Sequence, residues 1–368
     1  MSNSEPSSRD FNRRRDRRKQ GLNSFTKAPP VILDRRERVM IKPEEKKSST
    51  EFVEGKTAGD LVIPFLRRPG KFNTEGILKV NLADYPGHFV IGIVGKQGVG
   101  KSTILSHFAP QPDQIFSTQS CDQFLLSGHR TEGIDMYVTP ERAILLDTEP
   151  LLSWTVLEKV LRNESLEGLN PDVYLEMDSI YHLLFLLSIC NVVLIVSNGP
   201  EVDLDILQLL QRAELLKFNI PEYPLLAGHQ DINYYPDIVF VCNKCKSQDF
   251  TWEKYMDLQV SLDILFKESE LKTNGLIHFN HILPSFYDSN GSNVFLLPDQ
   301  IEEKQIESFN TLASTLRNQV LSAPRKIGKK GQVSEKDWLR NAVKIYELVH
   351  KSDYMNEYLQ VIRKLRDS

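Results

Sequence analysis

Cysteine is scarce, with four in 368 residues. So few in a chain this long cannot form a disulfide framework, and they point to reduced thiols and an intracellular address. Long apolar runs are missing as well. The greasiest stretch, residues 183–196, falls short of the about 20 apolar residues that span a bilayer. It also contains Ser188 and Asn191, and reads as a buried helix end running into a buried strand. Residues 1–30 are polar and charged, without the apolar core of a secretory leader, so a cytoplasmic protein is expected. A large net charge is absent too: 45 Lys+Arg stand against 49 Asp+Glu. The balance is uneven, because residues 1–60 hold 15 basic and 10 acidic side chains, leaving 30 and 39 for the rest. An acidic body is a poor general binder of nucleic acid, whose phosphates are met mainly by cations. Only the basic tail has the sign for it.

What is present reads as an α/β protein with a disordered basic tail over residues 1–58. The run Arg13-Arg14-Arg15-Asp16-Arg17-Arg18-Lys19, then Pro29-Pro30, then the Lys/Glu/Ser mixture of 42–50 offer little apolar surface to offset the entropy of ordering. Arg13 to Lys19 is either a solvated arm or a charge-driven contact for RNA or an acidic partner. Two apolar patches, 31–33 and 61–66, are docking segments for a partner or for the body itself. The main domain is assigned to residues 59–321, with regular order from about 75. Residues 88–94 are β-branched and read as a strand buried on both faces; 101–109 read as a helix and 143–146 as a second buried strand. Pro171 opens a helix of about 18 residues, since proline suits the first helical turn. It runs into a strand at 192–196, followed by a helix at 203–216 and a strand at 237–242. Such alternation implies a mostly parallel sheet flanked by helices. Residues 218–236 read as a surface loop, 251–272 as helical and 322–333 as a hinge. A C-terminal helix is expected over 334–366, capped by Ser334, with Leu339, Ala342, Val343, Tyr346 and Val349 at helical spacing. Its aromatics Trp338, Tyr346, Tyr354 and Tyr358 either pack on the sheet or present a stripe to a partner.

The chemistry concentrates in Gly95-Lys96-Gln97-Gly98-Val99-Gly100-Lys101-Ser102-Thr103, which fits G-x-x-x-x-G-K-[ST]. The glycines let backbone N–H groups turn inward around an anion, Lys101 reaches the β- and γ-phosphates, and the Ser102 hydroxyl ligates magnesium. The pattern follows a buried strand and precedes a helix, the context that gives it meaning. Asp147, ending a buried strand, supplies the carboxylate that such a metal needs. Thr131, in the polar segment His129-Arg130-Thr131-Glu132-Gly133-Ile134-Asp135, either closes over phosphate and metal or belongs to an ordinary turn. Asn243-Lys244 at a strand end is the candidate for purine recognition. Cys242-x-x-Cys245 with His278 and His281 has the wrong spacing for a zinc site.

Gly95 to Ser102 resembles the first motif of a G domain, Thr131 with Gly133-Ile134 the second, Asp147-Thr148-Glu149 the third and Asn243-Lys244 the fourth. The wording is similar to dynamin-like and guanylate-binding GTPases. Over about residues 60–300 the chain resembles the Smg family of G-domain-like subunits in nonsense-mediated mRNA decay. The resemblance implies a P-loop NTPase fold, Mg2+ and a purine nucleotide (GTP/GDP or ATP/ADP). It also implies a heterodimer with the eighth Smg protein and a regulatory or scaffold role toward the Smg-one kinase, without a membrane. Three departures bear on mechanism. Pro150 replaces the glycine whose N–H senses the γ-phosphate. No Gln or His follows to orient water. Asn243-Lys244-Cys245-Lys246 lacks the Asp that pairs with guanine. Hydrolysis is expected to be weak or absent, no catalytic residue is assigned, and the purine is left open. Two other readings are a GTP-hydrolysing switch and an RNA-binding protein acting through its arm.

Overall fold

A computed structural model describes residues 62–367, apart from 69, 80–81, 83, 85–87, 113–114, 117–129, 164–165, 167, 220–234, 284–285, 287–290, 302–305 and 325–333. The tail 1–58 with Arg13 to Lys19, the patch 31–33, and most of 218–236 and 322–333 lie outside the described residues.

Eight strands form one sheet in the order β2-β1-β4-β5-β3-β6-β7-β8. They are β1 (Ile63–Arg67), β2 (Lys71–Phe72), β3 (Phe89–Gly95), β4 (Ile134–Val138), β5 (Ala143–Thr148), β6 (Val192–Asn198), β7 (Asp237–Cys245) and β8 (Val294–Pro298). The five from β5 across to β8 run parallel. Three antiparallel strands extend the β5 side. Every residue of β3 and β5 is buried, as continuous apolar runs covered on both faces require.

The helices are α1 (Thr74–Lys79), α2 (Lys101–Ser106), α3 (Trp154–Asn163), α4 (Pro171–Ile189), α5 (Leu204–Asn219), α6 (Trp252–Leu265), α7 (Phe309–Leu321), α8 (Glu335–His350) and α9 (Asp353–Asp367). In α4, Pro171 sits in the first turn and Asn170 caps it, its Oδ1 accepting from the Asp172 N–H at 3.0 Å. Nearly the whole length of α4 is buried, and it turns directly into β6 through Asn191, whose Oδ1 accepts from the Val90 N–H at 2.8 Å. That bond locks the helix end to the central strand.

Three expectations change. Order starts before residue 75: of the patch 61–66, residues 62–66 are described and lie on the body, with Ile63, Phe65 and Leu66 buried and β1 paired to β4. The helix expected over 251–272 ends at Leu265. The C-terminal helix is two helices, broken at Lys351 and Ser352. Ser352-Asp353 is itself a helix start, polar residues followed by an acidic first turn, which a single period running through it conceals. Of the aromatic stripe, Trp338 is fully buried against Phe65, its Nε1 donating to Ile189 O at 2.9 Å. Tyr346 packs on Phe72 and Phe185, Tyr358 bonds Glu176 of α4, and Tyr354 stays exposed. Packing accounts for most of that stripe.

Candidate nucleotide site

The loop between β3 and α2 carries the Gly-rich pattern. Gly98 and Gly100 take φ of 78° and 94°, a backbone that residues with a Cβ rarely adopt. At Gly100 a Cβ would also collide with the Asn243 amide nitrogen. Lys101, at the first position of α2, is buried and curls back to donate to Gly95 O at 3.2 Å and Lys96 O at 3.1 Å. Burial pulls its pKa down to about 8, against the pull of the Asp147 and Glu149 carboxylates.

Asp147 lies near the end of β5, beside Ile93 on one flank and Asp135 on the other. Its Oδ2 accepts from the Ser102 hydroxyl at 2.7 Å and from the Thr131 hydroxyl at 2.9 Å. Its Oδ1 is buried and has no hydrogen-bond partner among the described residues. Burial raises the Asp147 pKa to about 6, although Lys101 and both hydroxyls oppose the shift. The three residues expected to hold a metal therefore meet at one carboxylate.

Thr103 is half-buried on α2. Gln97 accepts at Oε1 from the Ser153 and Thr155 hydroxyls, at 3.0 and 2.9 Å, which ties the loop to the segment after β5. Asn243 and Lys244 sit within the end of β7, and both side chains turn onto the loop. Asn243 Nδ2 donates to Val99 O at 2.8 Å, and Lys244 Nζ to Gly98 O at 2.7 Å. Asn243 Oδ1 is buried without a hydrogen-bond partner among the described residues. The pair read as purine-recognising thus clasps the glycine-rich loop. Beside the loop opens a cavity of about 490 Å3, on whose wall Lys96 is held by Asp203 and Asp205 at 2.8 and 2.6 Å.

One cluster has no local signature in the sequence. Glu149, Asp178 and His182 present their ligand atoms close together, in the manner of a metal trio. The guanidinium of Arg68 sits among them, paired with Glu149 and, at 2.5 Å, with Asp178, so the chain supplies its own cation. Arg68 is 81 and 110 residues from these partners, a separation that no spacing rule reaches. Cys242 and Cys245 are buried in β7, and burial pushes the Cys242 thiol up to about 12, far from metal-binding or redox chemistry at neutral pH.

Strand, glycine loop, buried lysine and an acidic neighbouring strand end define the class: an α/β protein on a mostly parallel sheet, with a P-loop sequence pattern at its centre. No family model matches the chain. Nonsense-mediated mRNA decay factor SMG9 of Xenopus laevis is 31% identical over 322 aligned residues, taking in 76% of this chain and 63% of that protein. The Salmo salar SMG9 is 30% identical, over 75% of this chain and 63% of that protein. Drosophila melanogaster Protein SMG9 is 26% identical over 249 residues, 62% of this chain and 45% of that protein. The chain is a homologue of the SMG9 proteins. It spans less than two thirds of the length of these relatives. Among solved structures, a bacterial selenocysteine-specific elongation factor EF-Sec matches at 10% identity with a TM-score of 0.33, over 64% of this chain and 28% of that one. Elongation factor SelB of Methanococcus maripaludis matches at 12% and 0.30, over 68% and 37%. Scores this low carry no argument.

Proposed function

We propose that the chain is a magnesium- and purine-nucleotide-binding scaffold subunit of nonsense-mediated mRNA decay, with a G-domain-like fold. On this reading it pairs in the cytoplasm with the eighth Smg protein and modulates the Smg-one kinase. The names of its relatives support the pathway. The observation that carries the site is the meeting of Ser102 and Thr131 on one oxygen of Asp147, with the other oxygen buried and unpaired among the described residues. An unsatisfied buried carboxylate oxygen is costly. A carboxylate and two hydroxyls are the hard oxygen donors that suit magnesium.

When bound, the metal would supply positive charge to the phosphates. The loop amides from Gly95 to Gly100 would hold phosphate oxygens, and Lys101 would exchange the carbonyls of Gly95 and Lys96 for them. Asn243 keeps the loop in shape through Val99. Among the described residues nothing comparable supports turnover. Pro150 has no N–H to offer, and Glu149 is engaged by Arg68 and by the Gly133 N–H. Nucleotide is therefore read as a structural ligand.

Mass identification of the nucleotide that co-purifies tests this reading directly. Lys101→Ala is expected to lose that nucleotide while remaining folded; equal co-purification with the variant would overturn the site. Hydrolysis of several turnovers per second by the purified protein alone would overturn the scaffold role.

A further inference from the structure

Two residues beyond Thr131, the chain is fastened from both sides. The Gly133 N–H donates to Glu149 Oε2 at 3.0 Å, and the Glu149 N–H donates to Gly133 O at 2.8 Å. Gly133 holds φ of 67°, and a Cβ there would run into the Leu66 carbonyl, so the peptide is wedged between β1 and the end of β5. Arg67 grips the next stretch, donating to Ile134 O at 3.0 Å and pairing with Asp135.

Glu149 occupies the place where a switch protein would show a water-orienting group, yet its oxygens are committed. Oε2 takes the Gly133 N–H; Oε1 takes Arg68 and lies 3.3 Å from His182 Nε2. Arg68 is anchored in turn by Asp178, at 2.5 and 2.8 Å, and by the Tyr174 hydroxyl at 3.1 Å. Glu149 is only 3% exposed, so these bonds act in a medium where water competes little.

We infer that Glu149 is a positioning residue of the magnesium site: supported by Arg68 and His182, it fixes the Gly133 peptide and so holds the Thr131 hydroxyl on Asp147. The inference rests on the proposed metal-binding role of Ser102, Thr131 and Asp147. It assigns the acidic residue of the third motif to holding the loop closed and takes it out of the chemistry. A switch protein releases this loop when its nucleotide changes; here three elements distant in sequence staple it.

The test is release of N-methylanthraniloyl-labelled GDP and ADP, in magnesium and in EDTA, from wild type, Glu149→Ala and Glu149→Gln. Glu149→Ala removes the acceptor for a buried N–H and should speed release in magnesium about tenfold, leaving release in EDTA within about twofold. Glu149→Gln keeps an acceptor oxygen for Gly133 and should fall between; it is also the test should the alanine variant fail to fold. Hydrogen exchange at the Gly133 amide of the protein alone should accelerate in the same order. A general structural role would instead speed release equally in both media, and that result overturns the inference. A magnesium effect in the wild type that Glu149→Ala leaves intact overturns the inference alone. Wild-type release indifferent to magnesium overturns the metal-binding reading and this inference with it.

Discussion

Lys101→Met separates what the lysine does for ligand from what it does for the fold, because the two effects have opposite signs. Burial lowers its pKa from 10.5 to about 8, which at about 1.36 kcal/mol per pKa unit means that the charged lysine costs the fold on the order of 3 kcal/mol. Methionine keeps the stem volume and removes the charge. Against that gain, the carbonyls of Gly95 and Lys96 lose a donor, together worth about 1–2 kcal/mol. Asp147 also loses its nearest cation. The net expectation at pH 7 is a variant between equal in stability and about 2 kcal/mol more stable.

Urea unfolding of nucleotide-stripped protein at pH 7 and pH 9.5 measures this difference. The folded-state pKa lies below the unfolded one, so the penalty is present in full below about 8 and disappears as pH rises toward 10.5. Wild type should therefore gain on the variant as pH rises through that window. Nucleotide affinity should move the other way, falling about 100-fold for the loss of charge-assisted bonds worth about 3 kcal/mol. A variant that loses 2 kcal/mol or more at pH 7 while binding labelled nucleotide like wild type would show that Lys101 is a structural lysine.

Asn243→Ala strips the donor from the buried Val99 carbonyl and is expected to cost about 1–3 kcal/mol in urea unfolding, with a parallel loss of nucleotide affinity; full affinity would show that the loop keeps its shape without the clasp. Glu176→Gln weakens the buried carboxylate on α4 that accepts from Arg212, Arg366 and Tyr358. Those arginines are about 40% exposed, so the expected cost is a screened 1–2 kcal/mol or so, read as faster hydrogen exchange over residues 353–367. Lys217, 4% exposed above the Tyr235 ring, also has its pKa lowered to about 8 by burial. Lys217→Met should flatten the part of the stability rise between pH 8 and 10.5 that this lysine contributes; an unchanged pH profile would place its charge in water.

The sheet was legible wherever the sequence is both local and apolar. β3, β5, β6 and β7 are short runs of Val, Ile and Leu with polar ends, and their alternation with helices dictates parallel pairing. The glycine-rich loop was legible because its glycines, lysine and serine fall within eight consecutive residues, 95–102. β1, β2 and β8 were not: β2 is a two-residue edge strand, and β1 carries Pro64 and Arg67 in its apolar run. β8, though wholly apolar, is a five-residue run that periodicity alone does not tell from a buried helix segment. At the site, Ser102, Thr131 and Asp147 stood out by residue type and by position in the motifs. The turn of Asn243 and Lys244 onto the loop did not, because a strand end does not announce which way its side chains point. Arg68 was invisible for a simpler reason: its partners come from just past β5 and from α4, and an Arg-Arg pair at the end of an apolar patch looks like ordinary surface charge.

Lys101 and Asp147 explain why a nucleotide would stabilise this protein even without being hydrolysed. Burial drives their pKa values toward each other, to about 8 and about 6, which means the protein alone is poorly suited to keeping both groups charged. Each is a demand met only in part: the lysine settles for two carbonyls beyond 3 Å, and one oxygen of Asp147 has no partner among the described residues. On the proposed reading, a polyphosphate with its metal would present opposite charge to both at once, so ligand binding would relieve a cost that the fold builds in. Stabilisation by a ligand that binds only the folded form grows as RT ln(1 + [L]/Kd), about 2.7 kcal/mol at a hundredfold excess over Kd. The loop that would have to open during a catalytic cycle is the one that Glu149 staples at Gly133. On the proposed reading, a site that would gain stability from its ligand and resist letting it go is suited to retention.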